Sequence, residues 1–151
     1  MRLTKFSDYS LRVLIYLAVH PDRPASIAEV SRAYGVSPHL IVKVAQQLTA
    51  EGAVVSVRGR RGGMRLSRPP NAINVGALVR RTEPSWDVVE CFNPATNTCP
   101  IAPACGLKGA LDGARQAFLG VLDGYTLADF LPRPPAVKRL LRLSLERSLH
   151  A

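Results

Sequence analysis

The stretch Ser26-Ile27-Ala28-Glu29-Val30-Ser31-Arg32-Ala33-Tyr34-Gly35-Val36-Ser37-Pro38-His39-Leu40-Ile41-Val42-Lys43-Val44-Ala45-Gln46-Gln47-Leu48 decides the fold. Ser26 and Glu29 form an S-x-x-E capping box that opens a short helix, and Gly35 stops it. Ser37 and Pro38 then supply an N-cap and a first-position proline for the next helix. Ile41, Val44, Ala45 and Leu48 make the buried stripe of that second helix, and Gly52 sits where a terminal glycine belongs. Two helices joined by a turn as tight as Tyr34-Gly35-Val36-Ser37 are a helix-turn-helix. The face opposite the stripe carries His39, Lys43, Gln46 and Gln47, with Ser37 at its start, all able to hydrogen-bond phosphates or base edges in a major groove.

On the C-terminal side, Ala53 to Val57 reads as a strand and Met64 to Ser67 as its return partner. The tip between them, Arg58-Gly59-Arg60-Arg61-Gly62-Gly63, is rich in glycine and arginine. A helix-turn-helix followed by a hairpin is a winged helix, and Arg58, Arg60 and Arg61 suit a wing lying on phosphates or in a narrow minor groove. A nucleotide-binding glycine loop would need a G-K-S/T sequence, which is absent. On the N-terminal side, residues 8–19 have helical periodicity, with Leu11, Leu14, Ile15, Ala18 and Val19 on one face and Ser7 or Asp8 as cap. Asn71 to Arg81 is a further short helix. The expected fold class is mainly α with a small β-hairpin, a winged helix-turn-helix over residues 1–82.

The chain has 151 residues and a formal net charge of +9, which favours a polyanionic partner such as double-stranded DNA. No apolar run reaches the ~18 residues of a membrane span and no signal-peptide core opens the chain, so a cytoplasmic protein without a membrane partner is expected. No catalytic triad or phosphate-binding loop is visible, and His20, His39 and His150 lie far in sequence from the cysteines. These features argue against an enzyme. A structural or RNA-binding module remains the contrasting class, with affinity that follows salt alone and no operator preference.

All three cysteines fall in one loop, Cys91-Phe92-Asn93-Pro94-Ala95-Thr96-Asn97-Thr98-Cys99-Pro100-Ile101-Ala102-Pro103-Ala104-Cys105, spaced C-x7-C-x5-C. The residues between them favour loop. Clustered thiols in a reducing compartment point to a metal or iron–sulfur site rather than to disulfides. Three thiolates with one oxygen ligand would also satisfy zinc, and a bare-thiol redox switch is the other competitor. Residues 83–106 are therefore a cluster-binding loop. Beyond it, Ala104 to Leu122 is a long helix with Leu107, Ala110, Leu111, Ala114, Phe118 and Val121 along one side. Residues 104–131 are expected to pair with a second copy, since two-fold DNA readers place two recognition helices in successive major grooves. Tyr125 to Leu131 adds a helical turn or two. The tail, 132–151, is proline-broken and basic, either partly disordered or a weak helix.

These motifs together resemble the NsrR family of nitric-oxide-sensing iron–sulfur repressors and the wider winged-helix family it shares with IscR. The resemblance runs over residues 1–131, from Met1-Arg2-Leu3-Thr4 through the wing and the cysteine loop to Tyr125-Thr126-Leu127-Ala128-Asp129. It implies a homodimer on a palindromic operator, a cluster on Cys91, Cys99 and Cys105, and nitric oxide as signal. IscR-like 2Fe–2S proteins have a histidine three residues after the last cysteine, where this chain has Lys108. NsrR-like proteins with a 4Fe–4S cluster take an aspartate from the partner subunit's first helix, in the context T-x-F-S/T-D. Here that segment is Thr4-Lys5-Phe6-Ser7-Asp8, so the resemblance implies Asp8 of the partner subunit as fourth ligand and favours 4Fe–4S, with 2Fe–2S as the alternative. By residue type alone, Asp8 is a helix cap or the partner of Arg12 in an i, i+4 ion pair.

Overall fold

The computed structural model describes residues 2–60 and 62–147. Among them run helices α1 (Lys5–Ala18), α2 (Ile27–Tyr34) and α3 (Pro38–Ala50), strands β1 (Val54–Val57) and β2 (Gly63–Leu66), then α4 (Val75–Thr82), α5 (Gly106–Asp123) and α6 (Pro134–Arg147). The expected winged helix-turn-helix is present. Ser26 caps α2 by accepting from the Glu29 N–H, Gly35 ends it in the left-handed region at φ 63°, and Ser37 caps α3. Ile41, Val44, Ala45 and Leu48 are buried as the period requires. Tyr34 ties the turn to α1 by donating to the Arg12 carbonyl at 2.8 Å.

The wing is an antiparallel pair with Val54 opposite Leu66 and Val57 opposite Gly63. Its return strand also exchanges two backbone hydrogen bonds, both 2.8 Å, between Ala25 and Met64. That close approach explains Gly63, where a Cβ would stand 2.5 Å from the Ala25 carbonyl oxygen. The loop before α2 and the wing are therefore one unit.

Helix α1 begins earlier than its periodicity indicates. Thr4, not Ser7 or Asp8, is the cap; its hydroxyl accepts from the Ser7 N–H at 3.2 Å. Its own N–H donates to the Glu83 carboxylate at 2.7 Å, a partner far away in sequence. The buried face is also rotated from the expected stripe. Ser7, Ser10, Val13, Leu14, Tyr16 and Leu17 are buried, whereas Leu11, Ile15 and Ala18 pack at the margin. The cause is packing on several sides, since α3, β2 and α4 all touch α1. The buried Ser10 hydroxyl is satisfied by the Phe6 carbonyl at 2.8 Å.

The capping box of α2 is only half formed. Ser26 plays its part, but the Glu29 carboxylate turns away to accept from the Tyr16 hydroxyl at 2.6 Å and from Arg23. Tyr16 is fully buried, and a buried phenol without an acceptor would cost more than an incomplete cap.

Asn71 to Arg81 is not one helix. A 3-10 turn at Pro70–Ala72 precedes an extended Ile73, and α4 starts only after Asn74, whose side chain accepts from the Ala77 N–H at 2.8 Å. The Asn74 amide also donates to the Asp123 and Tyr125 carbonyls, at 2.7 and 3.3 Å. Backbone bonds Val75 to Tyr125 (3.0 Å) and Leu127 to Ile73 (2.9 Å) complete the junction. The C-terminal end of α5 is thereby fastened to the winged domain.

Within the tail, Pro134–Arg147 forms helix α6, the helical alternative of the two; residues 148–151 lie outside the described residues. Val137, Leu141 and Leu145 recur every four residues, and α6 lays them on its own domain against α2, burying Leu141. Pro134 and Pro135 begin the helix instead of breaking it, because first-turn prolines forfeit no helical hydrogen bond. No helix among the described residues is long and apolar enough to cross a membrane.

Candidate functional site

The outer face of α3 presents Ser37, His39, Lys43 and Gln46 to solvent. Ser37 also accepts from the Leu40 N–H at 3.3 Å, which leaves its hydroxyl proton available. Gln47 lies at the edge of this face, half-buried, its amide donating to Glu51 at 3.0 Å. Glu51 in turn pairs with Arg81 of α4 at 2.8 Å. On the wing, Arg58 and Arg60 are exposed; Arg61 lies outside the described residues. A hollow of about 490 Å³ separates α3 from the wing, lined by Val42, Gln46, Val57 and Met64 among others. A recognition helix and a basic hairpin tip flanking one hollow suit a major groove and its neighbouring phosphate strand.

The cysteine loop is irregular apart from 3-10 turns at Glu90–Phe92 and Ala102–Ala104. Cys91, Cys99 and Cys105 are half-buried free thiols. Cys105 stands at the N-cap of α5, which starts at Gly106 and not, as the spacing suggests, at Ala104. Two interactions that the spacing does not reveal shape the loop. Glu90 accepts from both the N–H and the hydroxyl of Thr98, the latter at 2.7 Å, which draws the neighbours of Cys91 and Cys99 together. Those two donors hold the Glu90 carboxyl below its usual range. Arg115, reaching back from α5, lies 4.9 Å above the Phe92 ring and pairs with Asp112. A hollow of about 560 Å³ opens there among Phe92, Cys105, Lys108, Asp112 and Arg115. Three free thiols are a donor set suited to soft or borderline metal. Within one chain, no three Cys, His, Asp or Glu side chains converge as a metal site among the described residues.

Asp8 is on the outer side of α1 with 42% of its side chain exposed. It meets Arg12 through both oxygens, at 2.9 and 2.7 Å. The i, i+4 pair is therefore formed, whereas the cap belongs to Thr4.

Along α5 the expected stripe divides. Phe118 tilts against Trp86 at 6.4 Å and Leu111 is half-buried. Leu107 and Val121 remain 62% and 61% exposed, in line with exposed Ala110 and Ala114. That leaves an open apolar strip on a helix whose first residue follows Cys105.

Residues 3–133 match the Rrf2 family, described as "Iron-dependent Transcriptional regulator". The chain is similar to the HTH-type transcriptional regulator NsrR of Halalkalibacterium halodurans, 44% identical over 144 residues, covering 95% of this chain and 99% of that one. Among solved structures it is similar to CymR, the global cysteine regulator of B. subtilis, with TM-score 0.68 and 27% identity over 86% of this chain and 95% of that one. It is likewise similar to IscR of T. potens, with TM-score 0.69 and 26% identity over 87% of this chain and 86% of that one. With its helix-turn-helix and wing in place, the chain belongs to the Rrf2 family of DNA-binding transcriptional regulators.

Proposed function

We propose that this regulator is a homodimeric repressor that binds a palindromic operator and senses nitric oxide through an iron–sulfur cluster of the 4Fe–4S type. The observation carrying this reading is the position of the free thiols: Cys105 begins the helix whose far end is fastened to the DNA-reading domain and whose open side is apolar. The donor set fits the group in kind. Cys91, Cys99 and Cys105 would hold it, with Asp8 of the partner subunit as fourth ligand. When bound, the cluster supplies iron that nitric oxide can attack.

The remaining work belongs to the chain. Pairing α5 with its copy covers Leu107, Ala110, Ala114 and Val121 and sets the distance between the two α3 helices, which must match the helical repeat of DNA. Asp8 can exchange Arg12 for a metal at little cost, because an exposed i, i+4 pair is worth about 0.3–0.5 kcal/mol. A carboxylate is also a harder donor for iron than a thiolate, so Asp8 would be the more easily displaced of the ligands. Without Asp8 the loop would no longer be joined to the opposite α1, and the spacing of the two α3 helices would no longer be held to the operator repeat. Ser37, His39, Lys43, Gln46 and Gln47 would face bases and phosphates, with Arg58, Arg60 and Arg61 on the adjoining backbone.

Mass spectrometry of oxygen-free protein under non-denaturing conditions tests the assignment. A dimer carrying one 4Fe–4S mass per subunit is expected, and Cys99→Ala should lose the iron, the sulfide and the visible absorbance. A colourless, zinc-loaded or metal-free dimer that still binds its operator at full strength would refute cluster sensing. A 2Fe–2S mass would move the protein toward the IscR type.

A further inference from the structure

The reading face of α3 is polar with one exception. Val42, in the second turn of the helix, is 37% exposed, while Ile41, Val44 and Leu48 on the opposite side are buried. It follows His39 by one turn and precedes Gln46 by another, so 39, 42, 43 and 46 make one continuous outward surface. It also lies on the wing side of α3, on the rim of the hollow that it shares with Gln46, Val57 and Met64. A β-branched residue lowers helix propensity and Val42 is not part of the buried core, so neither local structure nor the core requires valine here.

The major groove exposes one apolar group to a recognition helix, the C5-methyl of thymine. The first turns of such a helix are the ones that approach base edges. We propose that Val42 selects thymine by packing on that methyl group, beside the base pair whose adenine edge Gln46 engages through its amide. The pairing is stereochemically natural, because a glutamine donor and acceptor match adenine N6 and N7. The hollow between α3 and the wing gives the methyl group an apolar recess, with Val57 and Met64 behind it. This inference rests on the operator-binding reading and adds a base preference to it.

The test removes one methyl group at a time. Preferred duplexes are first selected from a random pool with the oxygen-free full-length dimer. Every thymine of the preferred duplex is then replaced singly by deoxyuridine, which changes no hydrogen bond. Wild type should lose about fourfold in affinity at one thymine of each half-site, the worth of one buried carbon. Val42→Ala should bind the thymine and deoxyuridine duplexes equally. Since Val42 lies outside the buried core, the variant should stay folded with at most a small drop in unfolding midpoint, and Val42→Thr, which retains a methyl, should recover part of the discrimination. A flat scan for wild type, or a Val42→Ala protein with undiminished sensitivity at the same thymine, overturns the proposal while leaving operator binding intact. A pool that yields no preferred duplex overturns operator binding itself, and this inference with it.

Discussion

Replacing Glu29 by glutamine should weaken the domain in a pH-dependent way. Its carboxylate accepts from the Tyr16 hydroxyl at 2.6 Å and from two Arg23 nitrogens, so α1, the α1–α2 loop and α2 all meet on it. Arg23, opposed in part by burial and helped by Tyr16, lowers its pKa from an ordinary 4.5 to about 2. At ~1.36 kcal/mol per tenfold change in proton affinity, that depression would be worth at most about 3.4 kcal/mol. Arg23 is 52% exposed, however, and solvent screening reduces the figure to about 1–2 kcal/mol. Glu29→Gln keeps an oxygen for Tyr16 but loses the charge and one of the two acceptors facing Arg23, so its cost at pH 7 should be at least in that range, or about 2–8 °C in melting temperature. Because the folded pKa lies below the unfolded one, the contribution is complete above about pH 4.5 and disappears as pH falls through about 2. Urea unfolding at fixed protein concentration, followed by the single tryptophan, Trp86, reports the difference. By pH 3 the gap between wild type and variant should shrink to less than half of its pH 7 value. An equal gap at both pH values would show that Glu29 acts by shape and neutral hydrogen bonding, and the ion-pair account would fail.

Gly76→Ala should destabilise the protein by about 1–3 kcal/mol, because a Cβ there would stand 2.7 Å from the Asp123 nitrogen and 2.9 Å from its Cα, both backbone atoms. A wild-type denaturation midpoint would mean that the α4–α5 junction gives way easily. Asp8→Ala should change unfolding free energy by less than about 0.5 kcal/mol while altering the visible spectrum or its nitric-oxide response. If the spectrum and response are unchanged, Asp8 serves only Arg12. Arg60→Ala should reduce the slope of log affinity against log salt by about 0.9 for each phosphate that the arginine neutralises, with the preferred sequence unchanged. A changed base preference at constant slope would place Arg60 on a base edge instead.

The parts of the fold that follow from short-range chemistry are legible in the sequence. Ser26, Gly35, Ser37 and Pro38 fix the ends of α2 and α3 within a few residues of themselves, and the buried stripe of α3 obeys its period. Where distant residues decide, local pattern misleads. Thr4 caps α1 in a setting where Glu83 holds its N–H, and Glu29 leaves its capping box for the buried Tyr16. The α6 stripe is present in the tail, but three prolines around its start and interspersed basic residues obscure it. At the candidate site, spacing identifies the thiols yet gives no sign of the Glu90–Thr98 clasp or of Arg115 over Phe92. Both depend on how the loop folds back, which periodicity does not encode.

The route from the thiols to the reading helix can be traced through links of unequal strength. An 18-residue helix is a stiff rod about 27 Å long, with Cys105 at one end and Asp123 at the other. At the far end Asp123 abuts Gly76 and pairs with Arg80, placing α5 against α4. From α4, Arg81 reaches Glu51, and Glu51 holds Gln47 of α3. The Arg81 side chain is 58% exposed, so that link is worth under about 1 kcal/mol and yields readily. At Gly76 the Asp123 nitrogen and Cα face α4 directly, with the Asp123 carboxylate beside them paired to Arg80, so the backbone contact leaves little room to absorb a displacement. A tilt of α5 started at Cys105 would therefore arrive at α4 nearly undiminished, and weaken only at the ion pair. If the proposed coupling between the cysteine loop and DNA affinity runs along this route, repacking at Gly76 should disturb the change in operator affinity on cluster loss, read by DNA titration, more than removal of Arg81 does, although Arg81 is nearer to the reading helix. An equal effect of both would refute the route.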